Sequence, residues 1–279
     1  MLSFPNSKIN LGLSVTEKRN DGFHNIETLM IPIGLCDVLE VIVSPDVKFS
    51  FTTSGLKING KTNQNLVIKA WDMLRDKFQL PPVKIHLHKV IPMGAGLGGG
   101  SADAAFLIKG VNELFNLNLS IEQMQAFALE LGSDCPFFIE NKPVIARGRG
   151  ELFEEVKLDL KRFRIVIAKP DFHIDTADAY SQIIPSIKAT SLKEIIEMPI
   201  DTWKGLLTND FEKPVFEQFP SIKNIKEELY KMGAIYTSMS GSGSAVFGIF
   251  KDVPDIGSSF PDCFVWGCTT NFHFRRKQP

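Results

Sequence analysis

The stretch Pro92-Met93-Gly94-Ala95-Gly96-Leu97-Gly98-Gly99-Gly100-Ser101-Ala102-Asp103-Ala104-Ala105 decides how this chain of 279 residues is read. Five of the seven residues from 94 to 100 are glycine. A loop so poor in side chains lets its backbone N–H groups turn toward a ligand and approach it closely. Residues 101–115 read as a helix that follows at once. The first N–H groups of a helix have no internal partner, and its dipole is positive at that end. Loop and helix start together form an anion site suited to a polyphosphate. Ser101 can offer its hydroxyl to a phosphate or to a magnesium ion that the phosphate carries. A plain surface loop is the competing reading, and so many glycines between a strand and a helix weigh against it.

Three phosphate-binding classes fail to account for the loop. The classical P-loop needs a lysine after its glycines, and none is present. The dinucleotide spacing occurs at Gly94, Gly96 and Gly99, but it also needs an acidic residue at the end of a second strand about 20 positions on. The nearest candidate, Glu113, falls in the expected helix, and another helix follows. The His-Arg-Asp and Asp-Phe-Gly signatures of protein kinases are absent.

Outward from the loop, residues 38–44 and 47–53 are rich in β-branched and aromatic residues and flank a Ser-Pro-Asp turn, which predicts two strands. Apolar residues at 66, 67, 70, 73, 74 and 78 have helical spacing. Residues 83–88 alternate Val83, Ile85 and Leu87 with Lys84, His86 and His88, a half-buried strand. Ser120 with Gln123 predicts a capping box for a helix that Gly132 stops, and Ser191 with Glu194 predicts another. Residues 164–168 read as a strand, 221–232 as a helix stopped by Gly233, and 244–250 and 263–268 as late strands. Strands and helices mix without a steady βαβ rhythm, which favours α+β. A division into two lobes, 1–155 and 156–279, is expected.

Composition narrows the function. Hydrophobic residues make up 44% and charged residues 23%, ordinary for a folded chain. The formal net charge is −1, which leaves no broad basic field for a nucleic acid. The basic run Arg275-Arg276-Lys277 reads as a solvated tail. Cysteines at 36, 135, 263 and 268 form no CxxC pair and are expected to be reduced thiols. His86 and His88 on one strand face are a weak metal pattern, and no metal site in the protein itself is expected. With no signal-like start and no apolar run of about 18 residues, the expectation is a cytoplasmic protein that does not bind membranes and acts on something dissolved.

The segment 92–105 resembles the ATP-binding motif of the GHMP superfamily of small-molecule kinases. Ser7-Lys8-Ile9-Asn10-Leu11-Gly12-Leu13 resembles the first motif of that family, and residues 237–247 resemble the third, a second glycine turn. Within the superfamily, residues 18–29, 132–138 and 146–151 and the pair Asn209-Asp210 resemble the branch that phosphorylates 4-diphosphocytidyl-2-C-methyl-D-erythritol, on the methylerythritol phosphate route to isoprenoid precursors. The resemblance implies a two-lobed GHMP kinase fold with the active site in the cleft. It also implies ATP with Mg2+ and a cytidine diphosphate derivative as acceptor. Another GHMP kinase with a different small alcohol, or a non-catalytic nucleotide-binding regulator of the same fold, stays open at this stage.

Site roles follow from the same resemblance. Asp134 matches the general base that takes the acceptor's proton; a bare helix cap is the competing reading. Lys8 matches the cation beside it, and otherwise reads as a surface lysine. Asn10, two residues on, shares the strand face of Lys8 and could bind substrate. Phe23 and His24 match the cytidine-binding pair, with phenylalanine where the family pattern has tyrosine; stacking survives that change and the phenol hydrogen bond does not. Lys89, Asn63 and Asn65 match nucleotide-side positions, although Asn is also a common helix cap. Thr176 matches a substrate-contacting hydroxyl. Gly241 and Gly243 are expected to let the third motif pack against the phosphate loop, with Gly241 on the substrate side; that they only form a turn is the competing reading.

Overall fold

A long antiparallel hairpin runs through the middle of the molecule: β2 (Asn6–Lys18) pairs with β3 (His24–Cys36). Ile9, Leu11, Leu13 and Val15 alternate along β2 and are buried. The opposite face of β2 carries Lys8 and Asn10, which are buried as well. The computed structural model describes residues 1–252, 254–256 and 259–267, except for the side chains of Thr176 and Ala177. The strand expected at 263–268 therefore passes out of the described residues at Cys268, and the basic run 275–277 lies outside them.

The remaining elements follow in chain order. Ahead of the hairpin lies β1 (Leu2–Ser3), and after it come β4 (Val38–Val43), β5 (Ser50–Gly55), α1 (Leu66–Phe78), β6 (Val83–Lys89), α2 (Gly99–Leu114), α3 (Ile121–Leu131), α4 (Phe137–Glu140), β7 (Val144–Arg147) and β8 (Leu152–Glu155). Then come β9 (Arg164–Pro170), α5 (Thr176–Ser181), α6 (Leu192–Glu197), α7 (Glu212–Gln218), α8 (Pro220–Lys231), β10 (Tyr236–Met239), β11 (Val246–Phe250) and β12 (Cys263–Gly267). Three four-stranded sheets result, in the orders β1-β4-β6-β5, β2-β3-β7-β8 and β10-β11-β9-β12.

The expected elements form with small shifts. Both capping boxes are present, Ser120 with Gln123 and Ser191 with Glu194. The helix after the glycine loop starts two residues before Ser101, because Gly98 takes the N-cap position. The strands on either side of the Ser-Pro-Asp turn are not neighbours: β6 lies between β4 and β5, antiparallel to the first and parallel to the second. Burial explains the arrangement, since Val83, Ile85 and Leu87 take the central place over α1 and α2.

Apolar packing gathers into three cores. The first joins β4 and β6 to α1, α2 and α3 around Trp71, Leu74 and Leu107. The third joins β9 and β11 to α7 and α8 around Phe211, Ile222 and Leu229. Between them, Ile9, Leu11, Leu29 and Ile31 of the hairpin pack with Ile167, Trp203, Tyr236 and Phe247. Burying such side chains stabilises by about 1.5–3 kcal/mol each. The hairpin is thus a shared spine between the two halves of the chain, and its polar face forms the floor of the cleft.

Candidate active site

The glycine loop crosses β2 with its carbonyls turned outward. Lys8 N donates to Leu97 O at 2.9 Å, Ser240 Oγ to Gly96 O at 2.8 Å, and Ala245 N to Ala95 O at 3.2 Å. His173 Nδ1 meets Gly94 O at 3.0 Å. A carbonyl only accepts, so that nitrogen carries the proton. Four consecutive carbonyls are therefore satisfied from outside the loop. The N–H groups of residues 94–98 find no acceptor among the described residues. Amides left unpaired on an ordered loop that meets a helix N-terminus are suited to an anion. Gly96 is required at its position: its φ is +73°, and a Cβ there would overlap the carbonyl oxygen of Ser240.

Lys8 and Asp134 meet at the end of this loop. Lys8 Nζ lies 3.3 Å from Asp134 Oδ2 and donates to Asn10 Oδ1 at 2.6 Å. Asn10 Nδ2 donates to Thr28 Oγ1 at 3.1 Å, and Thr28 Oγ1 to Gly12 O at 2.6 Å, which fixes the amide's orientation. Lys8 is only 3% exposed, so the surface-lysine reading does not hold. The Asp134 side chain is 36% exposed, between the end of α3 and the Pro136 cap of α4. An ammonium held in place by β2 thus faces a carboxylate open to the cleft. Beside it, burial pushes the Cys135 thiol up to about 12, with a smaller opposing effect of the Ser101 hydroxyl. It is an inert neighbour rather than a nucleophile.

On one rim of the cleft stand two stacked pairs, one a guanidinium on a ring and one ring on ring. Phe23, at the tip of the hairpin, is 50% exposed and lies under the Arg149 guanidinium, 4.1 Å from its ring centroid. Core packing is thus excluded for Phe23. His24 stacks on Tyr180, centroids 4.9 Å apart and planes 18° apart. Tyr180 reaches the site from α5, and burial, with the nearby Asp134 charge adding to it, pushes its phenol up to about 12. The side chain of Thr176 lies outside the described residues.

On the other side, a cavity of about 300 Å³ opens between β5, residues 58–66 and the start of α2. Asn65 lines it and also caps α1, its Oδ1 accepting from Val67 N at 2.9 Å. Asn63 sits in the 3-10 turn Thr62–Gln64 beside the cavity and is exposed. Lys89 lines the cavity floor but is buried, paired with Asp37 and, at 2.8 Å, with Asp103 Oδ2. Its charge is therefore already used by two carboxylates.

The third motif is braced from the second half of the chain. Asn209 Nδ2 donates to the carbonyls of Met239 and Gly241, both at 2.8 Å. Gly241, at φ +56°, faces Gly96 and the Asn10 amide: a Cβ added there would lie 3.4 Å from each. Asp210 accepts from Val15 N at 2.9 Å and pairs with Lys188 at 2.7 Å. The Asn-Asp pair thus ties the second half to the central hairpin. Tyr180 and His173 carry no sequence signal of their own. Arg149 lies inside the 146–151 motif and Ser240 inside the 237–247 motif, while Tyr180 and His173 are brought to the site by tertiary packing.

The fold and site define a class, and the comparisons agree with it. Residues 65–142 match the family model for the GHMP kinases N terminal domain, and residues 191–258 match that for the GHMP kinases C terminal domain. The chain belongs to the GHMP kinase family. Its relatives bear a particular name. It is 56% identical over 253 residues to a 4-diphosphocytidyl-2-C-methyl-D-erythritol kinase of Bacteroides fragilis, covering 90% of this chain and 92% of that one. It is 51% identical over 252 residues to the protein of the same name from Azobacteroides pseudotrichonymphae, covering 90% and 94%. A crystal structure of 4-(cytidine 5'-diphospho)-2C-methyl-D-erythritol kinase superposes with a TM-score of 0.76 at 29% identity, over 96% of this chain and 98% of that one.

Proposed function

We propose that the protein transfers the γ-phosphate of ATP to a hydroxyl of 4-diphosphocytidyl-2-C-methyl-D-erythritol, a step toward isoprenoid precursors. The observation that carries this reading is the Lys8–Asp134 pair at the end of a loop whose amides at 94–98 are unpaired. The names of the relatives support the acceptor. The cation–π pair Phe23–Arg149 and the ring pair His24–Tyr180 suit a nucleobase with a diphosphate beside it.

In this reading the adenine enters the cavity beside Asn63, Asn65 and Lys89, and the triphosphate runs along 92–102 toward Lys8. Asp134 accepts the proton of the acceptor hydroxyl as its oxygen bonds to the γ-phosphorus. The bond from phosphorus to the bridging β,γ-oxygen breaks, and ADP leaves. Lys8 holds the attacking oxygen and the carboxylate together, and Asn10 orients Lys8. Such chemistry rests on positioning and charge neutralisation. Mg2+ would supply charge neutralisation on the phosphates, with the Ser101 hydroxyl at α2's first turn as the protein group placed to meet it. Phe23 and His24 bind the cytosine, and Thr176 and Gly241 complete the acceptor side.

We also place the lobe boundary at 155/156, in the connection between β8 and β9 where the chain passes to the third sheet. Among the described residues no helix is long and apolar enough to cross a membrane.

The test is ADP release by the purified protein with Mg2+ and ATP, with and without the diphosphocytidyl substrate, and a product heavier by one phosphate in mass spectrometry. ATP binding without acceptor-dependent turnover would retain the kinase reading and remove the acceptor.

A further inference from the structure

The four outward carbonyls of the glycine loop are held unequally. Leu97 O is taken by β2, which lies in the same half of the chain. Gly94, Ala95 and Gly96 are taken by His173, Ala245 and Ser240, all from the second half. Ala245 acts through its backbone, and Ser240 is fully buried. Only His173 is an exposed side chain.

His173 is nonetheless held firmly. Ser244 Oγ donates to Phe172 O at 2.8 Å, and Phe172 stacks on Phe219 at 5.3 Å between centroids. On the other side Ile174 is buried in the third core with Met239. The imidazole is thereby pressed against Gly94: a Cβ added there, at φ +60°, would fall on the His173 ring. A loop whose amides serve a polyphosphate must not let a carbonyl rotate inward, since its oxygen would repel the anion. At Gly94, a glycine with little barrier to such a rotation, His173 is the restraint.

We propose that His173 is a positioning residue for the nucleotide: its Nδ1–H fixes the Gly94 carbonyl away from the phosphates, so that the second half of the chain sets the shape of the phosphate loop. His173 needs no contact with substrate for this. The inference rests on the nucleotide side of the proposed function and is independent of which alcohol is the acceptor.

The experiment compares His173→Ala with His173→Asn. The asparagine amide can place an N–H where the imidazole Nδ1–H lies, and alanine cannot. Calorimetric titration with ADP and Mg2+, without acceptor, reads the loop directly. Loss of one neutral hydrogen bond, partly open to water, should weaken ADP binding about three- to tenfold in His173→Ala. His173→Asn should recover most of that loss. In turnover assays the KM for ATP should rise by the same factor, with the KM for the acceptor within twofold and kcat little changed. Equal ADP affinity in His173→Ala and wild type would overturn the proposal. So would an asparagine variant as weak as the alanine one, or a loss confined to kcat. If no acceptor turnover is found in wild type, the acceptor assignment fails, yet the ADP titration still decides the role of His173.

Discussion

Two lysine–carboxylate clusters flank neighbouring glycines of one loop, and they serve different ends. Gly98 lies against Lys8, and Gly99 against Lys89. Lys8 faces one carboxylate, Asp134, which is open to the cleft. Lys89 faces two, Asp37 and Asp103, both buried. Asp37 also accepts from Val90 N at 2.6 Å and Ile91 N at 2.8 Å, so it clamps the turn that leads into the loop. Burial lowers the Lys89 pKa, but Asp103 and Asp37 outweigh it and leave the ammonium above its ordinary value. The comparison teaches that a lysine–carboxylate pair is available for chemistry only where water and substrate can reach it. Where all partners are enclosed, the charges are consumed in holding the backbone.

The largest effect that would sharpen this contrast is expected at the open pair. Asp134→Asn should lower kcat about 10²–10⁴-fold, the usual worth of a general base. Its unfolding free energy should change by no more than about 1 kcal/mol, since a partly exposed ion pair contributes little. Unchanged turnover would remove Asp134 from the mechanism.

At the closed cluster the pattern should invert. Asp37→Ala leaves two backbone donors and an ammonium short of a partner, and should cost about 3–5 kcal/mol of stability in urea titration. A fully stable Asp37→Ala protein with only a kinetic defect would break the comparison.

A smaller, pH-dependent difference follows at Asp103. Burial, opposed by Lys89 and reinforced by Asp37, pushes its carboxyl up to about 7. The folded state then holds this proton more tightly than the unfolded state, whose carboxyl titrates near 4. The contribution to stability is fully present below about pH 4 and is lost as pH rises through 7. The wild-type urea midpoint should therefore fall between pH 5 and pH 8 more steeply than that of Asp103→Asn. Equal slopes would rule out Asp103 as the source.

The smallest effect is expected on the acceptor rim, where neither lysine acts. Phe23→Tyr keeps the stacking face and should shift the acceptor KM less than about threefold, whereas Phe23→Ala should raise it about fivefold or more, the worth of a base–aromatic stack. A large loss in Phe23→Tyr would mean that the Arg149–Phe23 contact depends on the unsubstituted ring.

Much of the fold was legible locally. Ser120 with Gln123 and Ser191 with Glu194 marked helix starts because a capping box satisfies its own backbone within four residues. Burial of β6 was legible from period-2 alternation, but its place between β4 and β5 was not, because strand order depends on which face covers α1 and α2. Of the candidate site, the glycine loop was legible because its composition permits little else. Lys8 is different: without the family resemblance its local pattern suits a surface lysine, and only the third dimension shows it buried opposite Asp134.

By itself, then, the sequence determined the anion loop, the helix starts and the matched motif residues, since those depend on backbone freedom and hydrogen bonds over a few positions. The tertiary structure alone decided which lysine is free to act and which is enclosed, and it alone brought His173 and Tyr180 to the cleft. Burial and the meeting of charges are properties of chain segments far apart in sequence, and no local pattern encodes them.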